Sequence, residues 1–280
     1  LYTGHEAARL MSLLMLVMSV SPILAPLAGS VVIALWSWRE VFAVLAVVSL
    51  LCMVMTAVQL PETHPPERRL GKTLGNAFSS YGTLLRDPVF IGLSVVSGFG
   101  LATFFVFIGS APFVYIEYFG LTPTQFSLCF ALNAASFFAM SQLTARLSAR
   151  FGLVPLIRGS VTAVAAVMLL LALTTLWVDS LALMMTLLFI GFGFLGLLLP
   201  AAGVLALEDH GAVAGSASAL LGAIQMITGA VSMTLVGVFA DHTPAPMIIG
   251  IALCAVAAML TVIWTLRRLP AHLASAPPSP

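Results

Sequence analysis

Charged side chains are scarce in this sequence. Only 8% of its 280 residues are Asp, Glu, Lys or Arg, whereas 61% are hydrophobic. Soluble domains carry about 25% charged residues, so this composition excludes a soluble fold of the same size. Cysteine is also rare, and Cys52, Cys129 and Cys254 all lie in apolar runs. Neither a disulfide framework nor a zinc site is expected from cysteines in such positions.

Recognisable catalytic motifs are absent as well. The sequence contains no Walker nucleotide-binding motif, and no Ser-His-Asp, Cys-His or two-carboxylate set is expected to converge within a plausible pocket. Residues 191–196 fit G-x-G-x-x-G, but they lie in a charge-free run with no preceding strand, so we interpret these glycines as sites where helices bend or approach one another closely. We expect neither an enzyme nor a metal or organic cofactor, and the net charge of +1 gives no indication of nucleic-acid binding.

Long apolar runs are what the sequence does contain. A bilayer core about 30 Å thick is spanned by about 20 apolar residues in a helix, and backbone groups in lipid must bond to one another. The runs show no period-2 alternation, which excludes a transmembrane β-barrel. We therefore predict an all-α polytopic membrane protein with eight transmembrane helices. The eight runs are 10–38, 41–61, 88–116, 118–145, 159–178, 180–207, 211–240 and 243–266.

The basic residues predict the orientation of these helices. Eight crossings place both ends of the chain on one side, and only Arg39 falls on the other side. Basic residues in short loops remain in the cytoplasm, so we predict that both termini of this chain are cytoplasmic. The ten residues on the cytoplasmic side are Arg9, Arg68, Arg69, Lys72, Arg86, Arg146, Arg150, Arg158, Arg267 and Arg268.

The connections divide the chain into four parts. Residues 1–61 hold two runs, residues 62–87 form the longest polar connection, residues 88–268 hold six runs, and residues 269–280 are rich in Pro, Ser and Ala. We interpret these parts as the end of an incomplete N-terminal bundle, a cytoplasmic linker, a six-helix C-terminal bundle and a disordered tail. Within the linker, residues 72–85 are expected to form an amphipathic helix at the membrane surface.

Proline and glycine interrupt the first run. Pro22 and Pro26 break two backbone hydrogen bonds on one helix face, and Gly29 lies on the face of Pro22. This pattern indicates either a packing kink, which is common in membrane bundles, or a hinge or seal used during transport.

Polar and aromatic residues within the runs are candidates for substrate contact. Asn133 lies in the middle of its run and either ties two helices together or faces a polar cavity. Ser218 and Gln225 repeat at seven residues beside Gly215, Gly222 and Gly229. This pattern indicates either a packing seam of small residues between helices or a central cavity that Ser218 and Gln225 line.

Phe104, Phe105 and Glu117 also allow either a functional or a purely structural interpretation. Phe104 and Phe105 either wall a cavity for apolar compounds or pack against helices and lipid. Glu117 lies between Tyr115 and Tyr118, where it either belongs to an aromatic belt or attracts cations at a cavity mouth.

Several motifs resemble those of one transporter family. Residues 26–29 (P-L-A-G) resemble the core of the antiporter motif in the fifth helix of the major facilitator superfamily, and residues 38–42 (W-R-E-V-F) and 61–63 (P-E-T) resemble the segments that bound its sixth helix. Residues 110–120 and 214–222 are similar to stretches of the Bcr/CflA drug-resistance subfamily. This resemblance covers residues 1 to about 268 and implies that the eight runs correspond to helices five to twelve of a twelve-helix fold.

The resemblance also implies a function and a location. Arg146 and Arg150 match a degenerate copy of the superfamily's cytoplasmic loop motif, in which Ala145 occupies the acidic position. The protein is expected in the bacterial inner membrane, where it would exchange protons for drugs or amphipathic small molecules, with the proton gradient as its energy source. No Asp, Glu, Lys, Arg or His lies within the eight runs, and the resemblance implies that the proton-coupling residues lie in helices that precede this chain. The alternatives are a non-transporting remnant, a subunit that needs a partner chain, and a metabolite facilitator of the same fold.

Overall fold

The structure is a computed structural model that describes residues 28–29, 31–33, 35–59, 74–175, 177–241 and 243–269. Its residues form two compact units, 1–76 and 77–280. In the first unit, helix α1 spans Trp38–Gln59. The Arg39 guanidinium lies 4.5 Å from the centre of the Trp38 ring, and the Trp38 and Phe42 rings meet edge to face. The predicted site residues Pro22 and Pro26 lie outside the described residues, whereas Gly29 is helical.

The second unit is a helical bundle. Helix α2 covers most of the segment 72–85 that was predicted to be helical. A short π-helical segment, Phe113–Tyr118, continues α3, and a 3₁₀ segment, Glu208–Val213, joins α6 to α7. The helices are α2 (Leu74–Arg86), α3 (Pro88–Pro112), α4 (Pro123–Phe151), α5 (Leu153–Thr175), α6 (Leu181–Leu207), α7 (Ala214–Val238) and α8 (Ala245–Leu266).

Side-chain caps fix where three of these helices begin. The Asp87 carboxylate accepts from the backbone N–H groups of Val89 and Phe90 at the start of α3. Thr122 and Gln125 form a reciprocal capping box at the start of α4, and Ser180 accepts from the N–H of Leu183 at the start of α6. Proline at the first helical position of α3 and α4 loses no hydrogen bond there. The sequence thus sets these boundaries locally.

Helices α3 and α6 form the centre of the bundle and contact each other. Helix α3 packs against α7 and α8, α6 packs against α4 and α5, and α5 also packs against α8. These two central helices contain more buried residues than any other two helices of the bundle. Among the described residues, seven helices are long and apolar enough to cross a membrane. These findings confirm an all-helical membrane architecture. Most of the predicted first run lies outside the described residues, and the correspondence to helices five to twelve stays a prediction.

Several helices extend beyond the charge-free runs. Arg146 and Arg150, which were predicted in a loop, lie in the last turns of α4, and this helix ends only before Gly152, whose φ is +84°. Arg158 lies within α5. A charged residue ends an apolar run but not a helix, because a long arginine side chain at the end of a membrane helix can extend to the interface.

The two ends of the six-helix bundle differ in charge. Successive helices alternate in direction, so the start of α3 and the end of α6 share one end of the bundle. We call this the basic end, and within residues 77–269 it carries all six arginines: Arg86, Arg146, Arg150, Arg158, Arg267 and Arg268. The opposite, acidic end carries Glu117, Asp179 and Asp241. The predicted cytoplasmic location of the basic end stays a prediction.

Candidate functional site

Seven aromatic side chains from α3, the π-helical segment, α4 and α6 form one continuous cluster. Neighbouring ring centres in this aromatic cluster lie 5.0–6.2 Å apart, mostly in tilted or edge-to-face pairs, a geometry that aromatic quadrupoles favour. Phe107, Tyr115 and Phe192 are fully buried, whereas Phe104 and Phe137 are half-buried. The cluster comprises Phe104, Phe107, Tyr115, Phe126, Phe130, Phe137 and Phe192.

Helical spacing explains how α4 presents its part of the cluster. Phe126, Phe130, Asn133 and Phe137 follow one another at intervals of four, three and four residues. Residues at these intervals share one face of an α-helix. Asn133 therefore lies within the aromatic row, where α4 faces α6.

Beside the aromatic cluster, polar groups of α4 and of the π-helical segment contact α6. The amide nitrogen of Asn133 lies 3.8 Å from the Met185 sulfur, and the Tyr115 hydroxyl lies 3.0 Å from the same sulfur. Ser136 donates a 2.6 Å hydrogen bond to the carbonyl oxygen of Phe189. These contacts support the interpretation that Asn133 belongs to a helix-tying group.

The carbonyl oxygen of the Asn133 side chain, unlike its amide nitrogen, has no polar contact of this kind among the described residues. The side chain is only 1% exposed, and within the described part of the chain its carbonyl oxygen has no hydrogen-bond partner. A buried amide oxygen without a partner costs free energy. This oxygen is therefore an acceptor available for a donor that reaches the aromatic cluster.

The remaining predicted substrate residues lie elsewhere. Phe105 packs its ring against Gly229 of α7. Ser218 is exposed and Gln225 is half-buried on α7. Helix α7 packs mainly against α3, whereas α4 packs mainly against α6. The structure thus brings Phe104 and Asn133 to one cluster and places Gln225 and Ser218 on a separate surface.

Of the predicted gating residues only Gly29 is described, and the predicted charged residues Glu117, Arg146 and Arg150 are exposed. At Gly29 an added Cβ would meet no atom of the described residues within 4 Å. Glu117 is exposed in the π-helical segment. Arg146 and Arg150 are exposed, and the Arg150 guanidinium lies 5.2 Å from the centre of the Phe151 ring. The roles predicted for these residues in gating, cation attraction and loop contacts stay predictions.

Sequence reasoning missed two polar pairs that join segments distant in the chain. At the basic end, His210 Nε2 lies 3.2 Å from the carboxylate of Asp87, and its ring meets Phe90 edge to face. At the acidic end, the Tyr118 hydroxyl donates a 2.6 Å hydrogen bond to Asp179. The Asp87-Pro88 pair indicates a helix start, but nothing in the sequence indicates that residue 210 would lie beside it.

The comparisons with known proteins agree with this architecture. A family model described as Major Facilitator Superfamily matches residues 1–233. The chain is 33% identical over 249 residues to an uncharacterized MFS-type transporter, YdgK, of Bacillus subtilis. The aligned residues are 88% of this chain and 61% of the Bacillus protein.

Two further relatives carry resistance names. A bicyclomycin resistance protein homolog of Haemophilus influenzae is 26% identical, over 96% of this chain and 67% of its own length. The multidrug resistance protein MdtL of a Shewanella strain is 27% identical, over 82% of this chain and 57% of its own length. The chain thus spans 57–67% of the lengths of these three relatives. It belongs to the Major Facilitator Superfamily of membrane transporters and not to a class of enzymes.

Proposed function

We propose that this protein is a proton-coupled exporter of drug-like or amphipathic small molecules in a bacterial inner membrane, of the Bcr/CflA type. The names of the Haemophilus and Shewanella relatives refer to bicyclomycin and multidrug resistance and support an exporter. The proposed orientation has the basic end in the cytoplasm, because arginines are retained on that side.

The observation that carries the proposal is the Asn133 carbonyl oxygen. It is buried beside the aromatic cluster and has no hydrogen-bond partner among the described residues. Aromatic walls accept many apolar ligands, and a single polar group fixes their orientation. We therefore propose that Phe104 contacts apolar parts of a substrate and that Asn133 accepts a hydrogen bond from it, once the helices separate enough to admit one.

Proton coupling needs groups other than these. The apolar runs contain no Asp, Glu, Lys or Arg, although proton exchange within a membrane generally uses such a group. We propose that the protons are exchanged outside these runs and that movement of the bundles links that exchange to the substrate.

The test is efflux of a fluorescent cationic dye and of bicyclomycin from cells that produce the protein. We expect Asn133→Ala to lower efflux about tenfold, the equivalent of one lost hydrogen bond of about 1.4 kcal/mol. Leu132→Ala is the matched control, because Leu132 is the next residue on α4 and is 51% exposed. Equal efflux by wild type and Asn133→Ala would remove Asn133 from the site.

A second measurement addresses energy coupling. A protonophore should abolish uphill efflux by the wild type if protons drive it. Uphill efflux that continues after the gradient collapses contradicts the antiport proposal, and equilibration in both directions without a gradient indicates a facilitator.

A further inference from the structure

A groove runs between α5 and α8 on the outer surface of the bundle, at the basic end. It has a volume of about 200 Å³. Its floor and walls are mainly apolar, and an arginine from each helix lies at its rim. The lining residues are Arg158, Val161, Thr162, Met259, Val262, Ile263, Leu266 and Arg267.

A second, open groove lies along the adjoining face of α5 and is lined by residues of that helix alone. It has a volume of about 780 Å³ and shares Arg158 and Thr162 with the first groove. Small or compact residues recur along this side of the helix at Pro155, Gly159, Ala163 and Ala166. These small side chains leave a shallow trough beside Arg158.

The charges at the rim are not neutralised by the protein. Arg158 and Arg267 are both exposed, and neither forms an ion pair with a carboxylate in the part of the chain that the structure describes. No acidic residue lines either groove. The next arginine, Arg268, lies elsewhere, with its guanidinium 4.1 Å from the centre of the Trp264 ring.

We propose that these two grooves bind one anionic phospholipid. Its phosphate lies between the guanidinium groups of Arg158 and Arg267, and its two acyl chains lie in the two adjoining grooves that share Arg158 and Thr162. Guanidinium groups form strong, charge-assisted hydrogen bonds to phosphate, and basic pockets between membrane helices recognise anionic head groups.

The length of the grooves favours a lipid over a free phosphate ion. From Arg158 to Ala166 the helix rises about 12 Å at 1.5 Å per residue, and the α8 wall from Met259 to Arg267 has the same length. One leaflet of the hydrocarbon core is about 15 Å deep. The apolar walls therefore cover most of the depth of an acyl chain, whereas a phosphate ion would contact only the rim.

The test is binding of phosphatidylglycerol to the purified protein in detergent, measured by native mass spectrometry against phosphatidylcholine of the same chain length. We expect the wild type to retain phosphatidylglycerol selectively. Arg158→Gln/Arg267→Gln should weaken this binding about 30-fold, since each arginine near an anionic surface contributes about fivefold. The matched control is Arg146→Gln/Arg150→Gln, which removes two charges from the same end of the bundle but outside both grooves.

Further variants separate the head-group contact from the grooves. Arg158→Lys/Arg267→Lys keeps the charge and should restore most of the selectivity, which also shows that a loss in the Gln variant is not a folding defect. Thr162→Trp fills the point shared by both grooves and should lower retention of both lipids.

Four results would overturn the proposal. They are equal retention of the two lipids by the wild type, an equal loss of selectivity in the Arg146/Arg150 control, displacement of the lipid by inorganic phosphate alone, and a protein dimer in place of lipid adducts.

Discussion

The contact between α4 and α6 and the contact between α3 and α7 both depend on glycine, but the glycine meets a different kind of atom in each. At Gly196 of α6, an added Cβ would overlap the backbone carbonyl group of Phe137 on α4. At Gly229 of α7, it would overlap the ring of Phe105 on α3. In the α4–α6 contact, backbone packs against backbone. In the α3–α7 contact, the Phe105 ring packs against the space that the missing side chain of Gly229 leaves, and we call this space the Gly229 notch.

This difference predicts how each contact responds to change. A backbone carbonyl can move only if its whole helix moves, whereas an aromatic ring can change its rotamer. The α4–α6 contact also includes the hydrogen bond from Ser136 to the Phe189 carbonyl. We infer that α4 and α6 are held at a fixed distance and that α3 and α7 can adjust to each other.

The largest effect is expected for Gly196→Ala. The new methyl group would force α4 away from α6, so we expect a loss of about 3 kcal/mol in the free energy of unfolding, at the upper end of overpacking effects. The measurement is unfolding by SDS in mixed micelles, followed by circular dichroism. Gly203→Ala is the control on the same helix, because the nearest atom to its Cβ is a Leu221 methyl at 3.9 Å. Phe137→Leu should not rescue Gly196→Ala, and a rescue would show that the contact is not made by backbone.

A smaller loss, about 1–2 kcal/mol, is expected for Gly229→Ala, because the Phe105 ring can turn away at the cost of its packing. Here the double variant Gly229→Ala/Phe105→Leu should recover much of the loss, and a double-mutant cycle in the same unfolding assay measures the coupling. If the two substitutions are simply additive, the ring does not occupy the notch and the contrast between the contacts is wrong.

Ser136→Ala removes the interhelical hydrogen bond from the α4–α6 contact. Such bonds contribute about 0.6 kcal/mol between membrane helices, so the unfolding free energy should fall by about that amount. Ser141→Ala is the control, since the Ser141 hydroxyl bonds to the carbonyl of Phe138 within its own helix. A larger effect at Ser141 would mean that the bond to Phe189 does not hold the helices together.

The smallest effect, with the opposite sign, is expected for Gly222→Ala. At Gly222 no atom of the described part of the chain lies within 4 Å of an added Cβ, and alanine is the better helix former. We expect the protein to become more stable by about 0.5 kcal/mol in the same assay. Destabilisation instead would place a neighbour at Gly222 and would make the seven-residue glycine pattern a continuous contact.

Glycines that form a regular pattern in the sequence do not all contact a neighbouring helix. Gly215, Gly222 and Gly229 form one regular pattern, but only Gly229 contacts a neighbouring helix among the described residues. Glycines within 191–196 were predicted to permit helix contact, and Gly191, Gly193 and Gly196 do so against Met168, Ser136 and Phe137. Spacing places residues on one helix face, but the crossing point of two helices decides which of them is in contact.

In the candidate site, too, the sequence indicates which residues share a helix face, and the packing of the helices decides what that face contacts. The spacing of Phe126, Phe130, Asn133 and Phe137 predicts a shared face from the sequence. The meeting of that face with Phe104 and Phe192 depends on how α3, α4 and α6 pack. The pairs Asp87–His210 and Tyr118–Asp179 join residues far apart in the chain and have no local signal.

The sequence by itself determined that the chain is a helical membrane protein, because unbonded backbone groups and charges are costly in lipid and therefore limit both the structure and the length of each span. It also determined the helix starts at Asp87, Thr122 and Ser180, since a cap is made by neighbours in the chain. Only the tertiary structure decided which helix faces contact each other. That choice depends on the shapes of two surfaces together, and a single helix carries only one of them.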